Sequence, residues 1–222
     1  MDLNENQDFE KARGAVYGFF SAIFKRPLTP EELGRVMDEE AISALESLFR
    51  GRRTRLMKRL EKAGESIEEI QMDYEGLFRV PGEQFVHPFE SAYRTPAGLN
   101  DGKTRPVMDV TLAKKVMEVY ASEGLEPTAE SDDSADHIAT ELEFMAYLCR
   151  RRASLLANGD KNAARHYEIK QSNFLKEHLA CWAEPCLKKI EENAATPFYR
   201  VFAGFLQAFL EDETGGRIAG SN

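Results

Sequence analysis

The chain has 222 residues, 42% hydrophobic and 30% charged, the balance of a folded globular protein and not of a disordered or membrane-embedded one. Its 38 acidic and 29 basic side chains leave a net charge of -9, which argues against nucleic acid as a partner and is compatible with a cationic one. Three cysteines, Cys149, Cys181 and Cys186, are an odd number with no Cys-x-x-Cys pair, a pattern for a reducing compartment and not for a disulfide framework.

The N-terminus, MDLNENQDFEKARGAV, is acidic and lacks the basic and apolar regions of an export signal. No apolar run approaches the length of a membrane span, so a cytoplasmic protein without stable membrane insertion is expected. Helical periodicity then dominates. Phe9, Ala12, Val16, Phe20 and Ile23 share one face of a first helix that stops at Pro27. TPEE restarts the helix, with Thr29 as N-cap, Pro30 in the first turn and Glu32 closing a capping box. FRGRRTRLMKR, Phe49 to Arg59, is a local basic run that reads as a solvated helix face on an acidic protein. SIEE repeats the capping box with Ser66 and Glu69, ahead of a stripe of Ile67, Ile70, Tyr74, Leu77 and Phe78.

From Arg79 to Pro106 the chain carries Pro81, Gly82, Pro88, Pro96, Gly98, Gly102 and Pro106, too many breakers for a helix. The same segment holds Phe85, Val86, Phe89 and Tyr93. A long aromatic connection of this kind is either a functional segment or an Ω-loop packed on the helices. A further helix is predicted over Val110 to Tyr120, ending near Gly124. SADHIATELEFMAYLC follows, with Ile138, Leu142, Met145 and Cys149 on one buried face and an Asp136-His137 pair at its start. NGD at Asn158 to Asp160 ends that helix and caps the next, which runs through Ala164, Tyr167, Gln171, Phe174 and His178. The last helix has Thr196 as cap, Pro197 in the first turn and a stripe of Phe198, Val201, Phe202, Phe205 and Phe209, before a frayed tail, TGGRIAGSN. No sustained period-two alternation appears. The fold class is all-α, a multi-helix bundle in one domain over residues 1–213, with a flexible tail at 214–222 and a long non-helical loop at about 79–106.

Three chemistries compete for these residues. GLNDGKT, Gly98 to Thr104, has its two glycines one residue too close for a phosphate-binding loop and no strand before it. His178 and Cys181 lie one helical turn apart, with Cys186 and Cys149 as further ligands for a metal, but Trp182 and Pro185 intervene and buried cysteine usually packs. A hydrolase could use Asp136, His137 and Glu141 with Ser91 or Cys149. Yet adjacent helical residues diverge by about 100°, so Asp136 cannot simply orient His137, which leaves Glu141 or Asp133. The bland alternative is that Asp133, Ser134 and Asp136 serve the helix N-terminus.

Several segments resemble a known family. DYEGLF at Asp73 to Phe78, VHPFESAY at Val86 to Tyr93 and ADHIATELEFM at Ala135 to Met145 are similar to motifs of the TorD/DmsD/NarJ family, cytoplasmic chaperones dedicated to molybdenum-containing oxidoreductases. FLKEHLACWAEP and TPFYRVFAGFLQAFL follow the family's spacing as well. The departures are Asp133, Ser134 and Ala135 where the family often has Glu-Pro-x before Asp-His, and Phe89 and Tyr74 where relatives often carry Trp.

The resemblance implies an all-α fold, no catalytic turnover and no cofactor. The implied partner is a molybdoenzyme precursor, held by its twin-arginine signal peptide, or by its mature domain, for cofactor insertion before export or assembly. Neither nucleic acid nor a bound metal is implied, and a homodimer stays open beside a monomer. The residues implied in peptide binding are Tyr74, Leu77, Phe78, Pro88, Phe89, Glu90, Ser91, Tyr93, Asp136, His137 and Glu141. Glu90 and Asp136 would offer carboxylates to guanidinium groups and the aromatics an apolar wall. The competing reading is a nucleotide-regulated switch or a hydrolase built on the Asp136/His137 region.

Overall fold

The computed structural model describes residues 3–40, 42–43, 64–94, 110–126 and 134–215. The stretches at 49–59 and 98–104, Asp133 and the tail beyond Gly215 lie outside these residues. The fold is all-α, and no strand forms among the described residues. In chain order the helices are α1 (Leu3–Lys25), α2 (Pro30–Val36), α3 (Ile67–Tyr74), α4 (Glu90–Tyr93), α5 (Val110–Ala121), α6 (Ile138–Ala157), α7 (Lys161–Phe174), α8 (Ala180–Asn193) and α9 (Pro197–Glu213). Wide π turns, Glu75–Arg79 and Leu175–Leu179, extend α3 and α7.

These helices group into two compact units. The first takes its described residues from Met1–Lys25 and Phe89–Trp182, the second from Arg26–Pro88 and Ala183–Asn222. In the first unit α1 runs along α6, the most extensive helix pairing among the described residues. Val16, Phe20 and Ile23 are buried on α1, and Ile138, Leu142, Met145 and Cys149 on α6, as their spacing predicts, with Tyr17 and Phe24 buried beside the α1 stripe. Gly14 lets the two helices close up: a Cβ there would sit 3.1 Å from Cys149 Cβ and 3.4 Å from the Ala146 carbonyl oxygen.

The first turns of α1 differ from the predicted stripe. Phe9 is 50% exposed, while Glu10 is fully buried. Glu10 turns inward because it accepts hydrogen bonds from Arg13 at 2.9 Å, Arg152 at 2.6 Å and Gln171 at 2.8 Å, so its charge is compensated. Between α6 and α7 the Asn-Gly-Asp turn behaves as read. Gly159 takes a φ of 75°, which favours glycine, and Asp160 accepts from the Ala163 N–H at 3.0 Å.

In the second unit both capping boxes form, at Thr29/Glu32 and Ser66/Glu69. The ring of Tyr74 packs 5.0 Å from Phe78 and 6.2 Å from Tyr199, and Phe198 meets Tyr199 edge to face and Phe202 at a tilt. The start of α9 departs from expectation. Thr196 occupies the N-cap position, but its side chain makes no capping bond. Its hydroxyl instead donates to Asp73 at 2.6 Å, and Asp73 also accepts from the backbone N–H of Ala195 at 2.9 Å and of Thr196 at 2.8 Å. A buried carboxylate from α3 therefore satisfies the helix entry, and its negative charge suits the positive end of the α9 dipole.

Candidate functional site

The sequence-predicted residues fall into two groups, one in each unit. Tyr74, Leu77, Phe78 and Pro88 belong to the second unit and all are buried. The π turn carries Leu77 and Phe78 inward, and the Leu77 carbonyl accepts from Val86 N–H at 2.8 Å, which folds the following segment back on the turn. Both side chains belong to the stripe that helical spacing predicts; the π turn itself, one extra residue wide, has no counterpart in that spacing.

Phe89, Glu90, Ser91, Tyr93, Asp136, His137 and Glu141 belong to the first unit, and there two motif segments meet. Phe89 and His137 form an isolated antiparallel bridge, their rings edge to face at 5.3 Å. The Asp136 carbonyl accepts from Glu90 N–H at 2.9 Å. The Asp136 carboxylate accepts from Ser91 N–H at 3.0 Å and from the Ser134 hydroxyl. Asp136 thus supplies the N-terminal partners of α4, which explains a helical turn inside a segment rich in breakers. The capping of α6 falls to His137, whose Nδ1 accepts from Ala139 N–H at 3.1 Å. The Asp-His pair therefore divides its work: histidine starts its own helix, and aspartate starts another 45 residues away in sequence.

Glu90, Asp136 and Glu141 are all 0% exposed, and each finds partners inside the unit. Glu90 receives the guanidinium of Arg94 on one oxygen, and His178 Nδ1 lies 3.0 Å from the other. Arg94 also donates to the Glu177 carbonyl at 2.6 Å, so the π turn Leu175–Leu179 holds both partners of α4. Glu141 faces the indole N–H of Trp182 with both oxygens, at 3.1 and 3.2 Å. Burial pushes the Glu141 carboxyl well above the usual carboxylate range, and the nearby Glu90 and Asp136 push the same way, against the Trp182 hydrogen bond. Tyr93 stacks on Trp182 at 5.7 Å, and Tyr120 closes the cluster by donating its hydroxyl to the Ala135 carbonyl at 2.9 Å.

His178, read as a metal-ligand candidate, is instead the neighbour of Glu90. Cys181 donates its thiol to the Lys176 carbonyl at 2.8 Å, and Cys149 and Cys186 are buried. Arg94, Trp182 and Tyr120 escaped the sequence reading. Arg94 had a local signal, since it stands four residues after Glu90 on one helical turn. Trp182 and Tyr120 had none, because their partners lie 41 and 15 residues away. Phe89 and Tyr93 are only half-buried, and they are the aromatic groups of this cluster that reach solvent.

A family model described as the nitrate reductase delta subunit matches residues 37–188. The chaperone protein TorD of Vibrio vulnificus strain YJ016 is 25% identical over 218 residues, covering 93% of this chain and 95% of the relative. That of Vibrio parahaemolyticus is 23% identical over 220 residues, with 94% and 96% covered. That of Photobacterium profundum is 25% identical over 215 residues, with 91% and 93% covered. The motif segments of both units lie inside these matched lengths, and the chain belongs to the TorD/NarJ family, a family of chaperones and not of enzymes.

Proposed function

We propose that the protein is a dedicated chaperone of molybdoenzyme maturation that binds the twin-arginine signal peptide, or a comparable terminus, of its client precursor in the cytoplasm and holds it during cofactor insertion. The observation that carries this reading is the junction of the two motif segments, Phe89–Tyr93 and Asp136–Glu141, which presents half-buried Phe89 and Tyr93 over a floor of buried acids. The relatives named chaperones extend over nearly the whole chain, which supports the same role.

A twin-arginine signal joins a cationic end to an apolar run, and Phe89 and Tyr93 suit the apolar part. The net charge of -9 suits the cationic part. For the Glu90 or Asp136 carboxylates to meet a client guanidinium, α4 has to give way, since both are fully buried. Among the described residues no helix is long and apolar enough to cross a membrane, in keeping with a chaperone that meets its client in solution.

The test is calorimetric titration of synthetic signal peptides from molybdoenzyme precursors into wild type, Phe89→Ala and Tyr93→Ala. Saturable binding is expected, with the peptide intact by mass spectrometry and affinity reduced about ten-fold in each variant, the loss of one buried aromatic contact. Cleavage of the peptide, or no binding of any such signal or precursor, would sink the reading.

A further inference from the structure

We infer that Glu90 and the Glu177 carbonyl form a seat for a guanidinium group, that Arg94 fills it at rest as a stand-in, and that a client's arginine displaces Arg94 from it. The displacement rests on the function proposed above; the seat itself does not. One nitrogen of Arg94, Nη1, donates to both acceptors, to Glu90 Oε1 and to the Glu177 carbonyl at 2.6 Å. The acceptors belong to different segments, the one-turn helix α4 and the π turn Leu175–Leu179. His178 Nδ1, on the same π turn, lies 3.0 Å from Glu90 Oε2, so the carboxylate is held from its other side as well.

Arg94 differs from the arginines that serve the buried acid of α1. Glu10 is held by Arg13 and Arg152, whose side chains are only 14% and 16% exposed, and by Gln171 besides. Among the described residues Glu90 has one guanidinium partner, and that side chain is 36% exposed while Glu90 itself is 0% exposed. The group on Glu90 Oε1 is thus one that already reaches solvent. Arg94 is also the C-cap of α4, and its backbone N–H donates to the Glu90 carbonyl at 3.1 Å. The side chain can swing outward while that backbone bond stays, so α4 yields without unwinding. A buried carboxylate left without a counter-charge is costly, whereas exchange of one guanidinium for another keeps the charge balance of the site. The chain's own arginine therefore covers the acid until a second guanidinium arrives, and a neutral side chain cannot make the exchange. Tyr93, the residue before Arg94, stacks on Trp182 at 5.7 Å and offers an aromatic surface beside the seat.

Two measurements on the full-length protein test this, and the first needs no client. Thermal unfolding of wild type and Arg94→Ala is followed with ethylguanidinium chloride, the part of the side chain that alanine lacks, or with sodium chloride at the same concentration. Arg94→Ala is expected to melt below wild type, and ethylguanidinium, unlike sodium chloride, to raise it again. Wild type, whose seat is filled, should show no rise. No rise in Arg94→Ala, or an equal one in wild type, would overturn the seat. If Arg94→Ala does not fold alone, recovery of its helical circular dichroism on refolding with ethylguanidinium replaces the melting curve, and no recovery counts against the seat. The second measurement titrates a synthetic molybdoenzyme signal peptide, with its paired arginines intact or both replaced by glutamine. The Arg94 Nε–H resonance of wild type should move with the intact peptide and stay in place with the glutamine peptide. Arg94→Ala should bind the intact peptide on the order of ten-fold more tightly than wild type, because an internal competitor is gone. A resonance that stays in place while the intact peptide binds, or weaker binding by Arg94→Ala, would overturn the exchange. No binding of the intact peptide would sink the function proposed above and the client's part in this inference, while the rescue by ethylguanidinium still decides the seat.

Discussion

Asp136 accepts from a backbone N–H and a hydroxyl in a site closed to water, so alanine and asparagine should part company there. Alanine strands the Ser91 N–H in the interior, which costs about 1–3 kcal/mol. Asparagine keeps an oxygen for that N–H, and the Ser134 hydroxyl can turn to accept from the new amide, so the loss should stay below about 1 kcal/mol. Thermal unfolding checks both, with about 2–4 °C expected per kcal/mol in a chain of this size. Equal melting temperatures for wild type and Asp136→Ala would show that Asp136 does not hold α4. The pair itself was legible in the sequence as something unusual at a helix start. Its division of labour was not, because capping rules are local and favour Ser, Thr, Asp and Asn over His. The true partner of Asp136 lies on a segment that periodicity reads as loop.

Helices were predicted where local rules suffice. The two capping boxes, the Asn-Gly-Asp turn and the apolar stripes of α6 and α9 all depend on residues within about four positions of one another, the reach of helical spacing. Two features needed contacts across the chain, the burial of Glu10 by Arg152 and Gln171 and the entry to α9, while the π turns depart from the 3.6-residue period that the local rules assume. The α9 entry offers a direct comparison. Thr196 looks like the cap, but Asp73 receives three hydrogen bonds there and Thr196 makes no capping bond of its own. Asp73→Ala should therefore cost about 2–3 kcal/mol, since it uncovers a buried helix N-terminus. Thr196→Ala removes one hydroxyl and should cost about 1 kcal/mol. Denaturant unfolding of the two variants decides the order, and a larger loss for Thr196→Ala would return the cap to the local residue.

At the scale of the whole molecule, composition gave the class and the acidic balance, and the motif segments gave the family. Buried acids were beyond it, because a sequence does not say which of 38 Asp and Glu side chains leave water. That distinction sets how stability depends on pH. Glu141 has its folded pKa raised, by burial first, above that of the unfolded chain. Between the two values the folded protein binds one more proton than the unfolded, so stability from this group falls as pH rises. It is complete below the ordinary Glu range, about pH 4, and is lost progressively as pH rises above that range, with a limiting slope near 1.4 kcal/mol per pH unit. Glu32 acts in the opposite sense. Its hydrogen bonds with Arg26 first, and with Thr29, hold it at about 2, so its contribution is present above the ordinary Glu range and is lost in acid. The two act on opposite sides of the Glu range, and Glu141→Gln should separate them. Melting temperatures followed by circular dichroism from about pH 2 to pH 9 should, above the ordinary Glu range, decline in wild type and decline less steeply in Glu141→Gln, with the variant the more stable at the alkaline end. The acid limb should be common to both proteins, since Glu32 is untouched. Parallel curves across the alkaline range would mean that Glu141 folds with its charge intact, and the buried cluster would then have to be held by the Arg94 and His178 contacts alone.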